Sequence, residues 1–140
     1  MDLSINRRKS SKTVLVFILA IFFANQSPSA EEKMIDNRIV STNLCIDGLL
    51  IALIGTKDVV AVSSVAGDPR YSLIADEVKS LQKVTFNAEA IYALNPSLVL
   101  VSNFSSPKTR RALTKLDVEV KMINYAQSIK DVENNLNYLG

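Results

Sequence analysis

The stretch that decides the fold is Asn87–Ser102, Asn-Ala-Glu-Ala-Ile-Tyr-Ala-Leu-Asn-Pro-Ser-Leu-Val-Leu-Val-Ser. Asn87 is a favourable N-cap, because its side-chain oxygen can accept hydrogen bonds from the free amides of a first helical turn. Pro96 disfavours helical geometry at the residue before it, so this pattern predicts a helix over residues 88–94. The apolar run Leu98–Val101 then predicts a parallel strand that is covered on both faces.

Outward from this stretch, strand patterns alternate with helix patterns along the chain. Short apolar or alternating segments predict strands at 38–41, 59–62, 84–86 and 118–123. Apolar residues at helical spacing predict helices at 45–54, 70–81, 108–116 and 129–139. Ser128 is the predicted cap of the final helix. This alternation predicts an α/β domain with a mainly parallel sheet flanked by helices, in which 118–123 is an edge strand.

Residues 1–30 have the composition of a secretory signal peptide. A basic leader precedes the uncharged run Thr13–Ala24, and the small residues Ser27, Ser29 and Ala30 follow it. We therefore expect cleavage between residues 27 and 30, although an uncleaved anchor is an alternative. The predicted organisation is a signal peptide at 1–30, a short arm at 31–37, an N-terminal α/β lobe at 38–127 and the start of a further helix at 128–140.

The basic balance of the whole chain belongs to this leader. The 140 residues carry a formal net charge of +2, but residues 1–30 hold four of the 16 basic side chains and one of the 14 acidic ones. The remaining chain therefore has a net charge of about −1, which gives no indication of nucleic-acid binding. A single cysteine also excludes an intramolecular disulfide.

The residue types give little support for catalysis. The chain has no histidine, and neither a dinucleotide-binding glycine motif nor a phosphate-binding loop is present. We predict that Cys45 is a small buried apolar residue, that Asp47 is a first-turn partner of the helix dipole, and that the cations of helix 108–116 form a solvated face. No catalytic residue and no metal ligand is predicted.

The loops after the predicted strands are better candidates for a binding site. Ligands of parallel α/β sheets collect at the carboxyl ends of the strands. The aromatic and hydrogen-bonding side chains in these loops would suit the rim of a site for a bulky polar ligand, although ordinary loop composition is an equal alternative. The predicted rim residues are Asn43, Leu44, Arg70, Tyr71, Asn103, Phe104 and Ser105.

Several of these segments together resemble a known family. The order and spacing of 38–47, 59–63, 68–77, 87–100 and 128–135 are similar to those of periplasmic binding proteins for cobalamin and ferric siderophores. The match over Asn87–Leu100 is the most specific, and the resemblance covers residues 38–140.

The resemblance implies one lobe of a two-lobed, helix-linked (class III) binding protein in the periplasm. Such a protein is monomeric, holds its ligand in the cleft between the lobes without a covalent cofactor, and delivers it to an ABC permease in the inner membrane. The ligand would be cobalamin or a ferric siderophore, with haem as the alternative. By motif position, Glu89 would be the carboxylate of this lobe that docks against the permease.

The length departs from the family pattern, because a member needs about twice as many residues. We therefore expect a truncated chain that lacks the second lobe, leaves apolar surface of helix Ile129–Leu139 uncovered and binds ligand weakly at best. The alternatives are a non-functional remnant, a domain that only pairs with another chain, and a small exported α/β enzyme.

Overall fold

The computed structural model describes residues 37–140, and its strands form a single parallel sheet. The predicted signal peptide and residues 31–36 of the predicted arm lie outside the described residues. In chain order the elements are β1 (Ile39–Ser41), α1 (Leu44–Ile54), β2 (Val59–Ser63), β3 (Gln82–Val84), α2 (Ala88–Tyr92), β4 (Leu98–Ser102), α3 (Pro107–Lys115), β5 (Glu119–Ile123) and α4 (Ile129–Leu139).

The five strands lie in the order β3-β2-β1-β4-β5. All neighbouring pairs are parallel, so the predicted α/β class with a mainly parallel sheet is confirmed. β5 lies at one edge of the sheet, as its alternating sequence predicts. The strand order reverses between β1 and β4, where Val40 pairs with Val99.

The stretch Asn87–Ser102 has the structure that its sequence predicts. The Asn87 side chain accepts a hydrogen bond from the amide of Ala90 at 2.9 Å and caps α2. The helix ends before Pro96, and Asn95 takes a positive φ of 49°. The Arg38 guanidinium then donates to the carbonyl oxygens of Leu94 at 2.7 Å and Asn95 at 2.9 Å, which fixes the end of this helix beside β1.

Helices cover both faces of the sheet, and each face has its own apolar core. α2 and α3 pack on one face, where the fully buried side chains include Val40, Ile91, Val99, Val101 and Leu113. α1 packs on the other face, where the core includes Ile46, Val62, Val78, Leu100 and Ile123. Successive residues of β4 alternate between the two cores, because side chains of a strand point to opposite faces.

The predicted helix over 70–81 is wrong. This segment forms successive turns, and the following strand begins at Gln82 instead of Val84. Val78 is buried in the core, while Leu73 projects fully into solvent. The amides of Lys79 and Leu81 donate to the carbonyl oxygens three residues before them, which is the pattern of turns. The Lys83 ammonium donates to the carbonyl oxygens of Val78 and Leu81, each at 2.6 Å, and so holds the end of this segment against β3.

The final helix begins where its sequence predicts. The Ser128 hydroxyl accepts from the amide of Asp131 at 3.2 Å and donates to its carboxylate at 2.9 Å. None of the residues of α4 is buried, and Ile129 is 81% exposed. The expected uncovered apolar surface is therefore present. Within residues 37–140, no helix has the length and apolar character needed to cross a membrane.

We predict that Leu113→Ala destabilises the domain much more than Leu116→Ala. Leu113 is fully buried between α3 and the sheet, whereas Leu116 at the end of the same helix is 43% exposed. Truncating the buried leucine should lower the free energy of unfolding by about 2–5 kcal/mol, since it leaves a cavity. Urea denaturation followed by circular dichroism measures both variants, and equal losses would contradict this packing.

Candidate functional site

A hollow of about 320 Å³ lies at the carboxyl ends of β1, β4 and β5. Buried Ile46 and Ile123 form its apolar floor, while Asn43, Phe104 and Tyr125 contribute side chains nearer the solvent. The position is the point where the strand order reverses, which is where open α/β sheets bind ligands. Its size lies at the lower end of the range for small-molecule sites.

An exposed aromatic pair stands at this hollow. The rings of Phe104 and Tyr125 meet edge to face, with centroids 5.7 Å apart and planes inclined by 65°. Phe104 is 77% exposed and Tyr125 is 56% exposed. Two adjacent aromatic side chains that are held together yet left in solvent offer an apolar surface for a ligand.

Asn43 and Cys45 enter the hollow from the start of α1. The Asn43 side chain caps the helix by accepting from the amides of Cys45 at 3.0 Å and Ile46 at 3.4 Å. Cys45 is exposed and lines the hollow, so the prediction that it is buried is wrong. The first turn of α1 buries Ile46 and Asp47 instead, which places the thiol on the open side.

The other predicted rim residues after β1 and β4 lie close by. Leu44 is half-buried and packs against the core that contains α1. Asn103 is exposed, and Ser105 lies with its hydroxyl 3.3 Å from that of Ser102, a residue of the hollow. The structure therefore brings the predicted residues from these two loops to one region.

Arg70 and Tyr71 lie outside the lining of the hollow. Arg70 makes an ion pair with Asp68 at 2.6 Å, and its guanidinium lies 5.4 Å from the centroid of the Tyr71 ring. Tyr71 is 65% exposed. The role of all seven predicted rim residues in ligand binding stays a prediction, and Asn43 and Phe104 are the two that line the hollow.

Sequence reasoning missed the contribution of the segment after β5. Tyr125, Val132 and Asn135 line the hollow from this connection and from α4. Asn135 also donates to the carbonyl oxygen of Asn124 at 2.9 Å and so holds the helix to the connection. Tyr125 could have been found, because it follows a predicted strand just as Phe104 does.

Asp47 lies in the first turn of α1, as its sequence position predicts. The sequence does not show that its carboxylate is fully buried. It accepts from the amide of Ser63 at 3.2 Å and from the Ser63 hydroxyl at 2.5 Å, which ties α1 to the end of β2. Ser41 at the end of β1 lies next to it, and the Ser41 hydroxyl has no hydrogen bond of ordinary geometry.

Burial raises the pKa of Asp47 above its usual value of 3.8, because the ionised carboxylate loses its hydration. The neighbouring hydroxyl groups of Ser41 and Ser63, the Ser63 amide and the charge of Lys83 oppose this shift. The folded protein therefore holds the Asp47 proton more tightly than the unfolded chain does.

Glu89, the residue predicted to dock against a permease, lies in the first turn of α2 and is not part of the lining of the hollow. Its side chain is exposed and makes no ion pair with another described residue. α2 belongs to the face of the sheet opposite α1. Within residues 37–140, no group of three or more potential metal-ligating side chains exists.

We predict that Asp47→Ala lowers the free energy of unfolding at neutral pH by about 1–3 kcal/mol, because the Ser63 amide is left buried without an acceptor. Asp47→Asn keeps an acceptor and should be much better tolerated. Since the folded pKa is raised, the wild type should lose stability relative to Asp47→Asn as the pH rises from 3.8 through that raised pKa.

Urea unfolding of the three proteins between pH 3 and pH 8 measures this effect (about five pH points suffice to define the trend). A difference between wild type and Asp47→Asn that does not change with pH would contradict a raised pKa at Asp47.

Comparison with known proteins gives the family. A family model described as periplasmic binding protein matches residues 39–140. No curated protein sequence matches the chain.

Three of the similar solved structures illustrate the shared fold. A periplasmic haem-binding protein from Pseudomonas aeruginosa is 24% identical with a TM-score of 0.63, and the match covers 74% of this chain and 37% of that one. The haem-binding protein HutB of Vibrio cholerae is 21% identical with a TM-score of 0.62, and the match covers 74% of this chain and 40% of that one. The apo form of the haem-binding protein RhuT from Roseiflexus sp. RS-1 is 26% identical with a TM-score of 0.59, and the match covers 74% of this chain and 41% of that one.

The chain spans about two fifths of the length of these structures. The family consists of binding proteins and not of enzymes, so an exported α/β enzyme is no longer an alternative. The matched range includes every strand and helix described above. The chain therefore belongs to the periplasmic binding protein family.

Proposed function

We propose that this chain forms the N-terminal lobe of the substrate-binding component of an ABC importer. This component captures a chelated metal compound in the periplasm. The hollow at the reversal of strand order carries this proposal, because its apolar floor and exposed aromatic pair suit a bulky ligand. The predicted signal peptide supports delivery to the periplasm, and the family supports transfer of the ligand to an inner-membrane permease.

Haem is the ligand that we place first, with cobalamin and ferric siderophores as alternatives. The similar structures from Pseudomonas aeruginosa and Vibrio cholerae are described as haem-binding proteins. The faces and edges of Phe104 and Tyr125 can pack against a flat, largely apolar ring system. The chain has no histidine to bind iron, so the proposal assigns this lobe to contacts with the chelating ligand.

A single lobe supplies only one wall of a cleft. The hollow of about 320 Å³ is open on one side and leaves Phe104 mostly in solvent. A large ligand would bury only part of its surface here, so we expect weak binding by this chain alone.

We predict that haem binds with a dissociation constant in the micromolar range or weaker, and that Phe104→Ala and Tyr125→Ala each weaken binding about tenfold. Absorbance titration in the Soret region measures haem binding, and isothermal titration calorimetry measures cobalamin and a ferric siderophore. Tyr92→Ala is the matched control, because this half-exposed tyrosine lies on α2, on the opposite face.

Submicromolar binding of any of the three compounds by this chain would contradict the single-wall proposal. Equal losses in the Tyr92→Ala control would contradict the assignment of the hollow. A loss in Tyr71→Ala would extend the site toward the loop after β2.

We propose that Glu89 docks against the permease. This carboxylate is exposed in the first turn of α2 and has no ion-pair partner among the described residues. A free surface acid on a helix that is anchored by buried Ile91 is well placed to meet a basic side chain of a partner.

We predict that Glu89→Arg weakens binding to the cognate permease in nanodiscs at least tenfold without unfolding the lobe. Glu77→Arg gives the same change of charge at another exposed position and should have little effect. Surface plasmon resonance measures binding, and circular dichroism checks the fold. Unchanged permease binding by Glu89→Arg would contradict the docking role.

A further inference from the structure

The helix α3 concentrates positive charge to an extent that the proposed binding role does not explain. It carries Lys108, Arg110, Arg111 and Lys115 and has no acidic residue. None of these four makes an ion pair within residues 37–140, whereas Lys79, Lys121 and Lys130 are each paired with a nearby carboxylate, as their short separations show.

Three of the four cations share the outer face of α3. Lys108, Arg111 and Lys115 follow one another at spacings of three and four residues, which places them in one line along a helix. All three are exposed, and buried Leu113 marks the opposite side of the helix. We call Lys108, Arg111 and Lys115 the cationic stripe.

The arrangement is unfavourable for the helix by itself. Like charges three and four residues apart repel each other and destabilise a helix. Lys108 also lies in the first turn, where the helix dipole disfavours a cation. Lys115, in the last turn, is favourably placed for the dipole, but no carboxylate of the described residues forms an ion pair with the stripe. An anionic partner would relieve the repulsion along the stripe.

A shallow hollow beside the stripe indicates the chemistry of that partner. It is lined by Pro107, Arg110, Arg111, Thr114 and Lys115 and has a volume of about 350 Å³. Two guanidinium groups and one ammonium group at one open surface can donate several charge-assisted hydrogen bonds to a phosphate. The helix exposes no aromatic side chain there that would anchor a folded protein partner.

We propose that the cationic stripe binds the phosphate headgroups of an anionic phospholipid surface. A straight, exposed line of cations is complementary to a flat array of phosphates, and each basic residue near such a surface strengthens binding about fivefold. The choice of a membrane rests on the proposed role of the protein beside the inner membrane. α3 packs next to α2, so the stripe and Glu89 belong to the same face of the sheet.

The test measures sedimentation with vesicles of phosphatidylcholine alone and with vesicles containing phosphatidylglycerol. The protein is purified from the periplasmic fraction of a host, and mass spectrometry verifies that its basic leader is absent. We expect binding to the anionic vesicles only, with an affinity that falls as salt is raised. The variant Lys108→Gln/Arg111→Gln/Lys115→Gln should bind about a hundredfold more weakly.

The control variant Lys57→Gln/Lys79→Gln/Lys130→Gln has the same net charge and should bind like the wild type, because its changes are scattered over exposed positions. Failure of the wild type to bind anionic vesicles, or an equal loss in the control, would overturn the proposal. Competition by millimolar inorganic phosphate that exceeds the effect of sodium chloride at the same ionic strength would also overturn it, since it would indicate a free-phosphate site. Haem titration of both variants keeps this outcome separate from the proposed ligand site, which neither variant changes.

Discussion

The short strand β1 is the constraint on which the rest of the domain depends. Ile39–Ser41 pairs with β2 on one side and with β4 on the other, so β1 joins the two halves of the sheet. The helix that follows β1 packs on one face, and the helix that follows β4 packs on the other. Connections that diverge in this way leave a crevice at the carboxyl ends of the two strands, and the hollow with its aromatic pair occupies that crevice.

Elements specified by neighbouring residues could be predicted from the sequence. The cap at Asn87, the end of the helix before Pro96 and the apolar run of β4 each depend on interactions within a few residues. The cap at Ser128 follows the same rule. The parallel arrangement also followed from the pattern, since apolar strands alternating with helices can bury both of their faces in few other ways.

What the sequence did not show has two sources, a local side-chain contact that apolar spacing does not reveal and a buried environment set by a distant part of the chain. Lys83 satisfies carbonyl groups of the preceding turns, and the apolar spacing of that segment gave no indication of this contact. Ser63 determines that Asp47 is buried, and the rotation of α1 that buries Asp47 exposes Cys45. In the candidate site, Asn43 and Phe104 were predicted because ligands bind at the carboxyl ends of parallel strands. Tyr125 was missed because the same expectation was not applied to the edge strand β5.

The two outer strands have a consequence for how the domain behaves at high concentration. An open sheet presents unpaired backbone groups at each edge, and these can add strands of other molecules and begin aggregation. Here β3 is only three residues long and contains Lys83, whereas β5 contains Glu119 and Lys121. Short length and charge both oppose edge-to-edge growth of a sheet, so the domain carries its own protection against fibrillar assembly while it is folded.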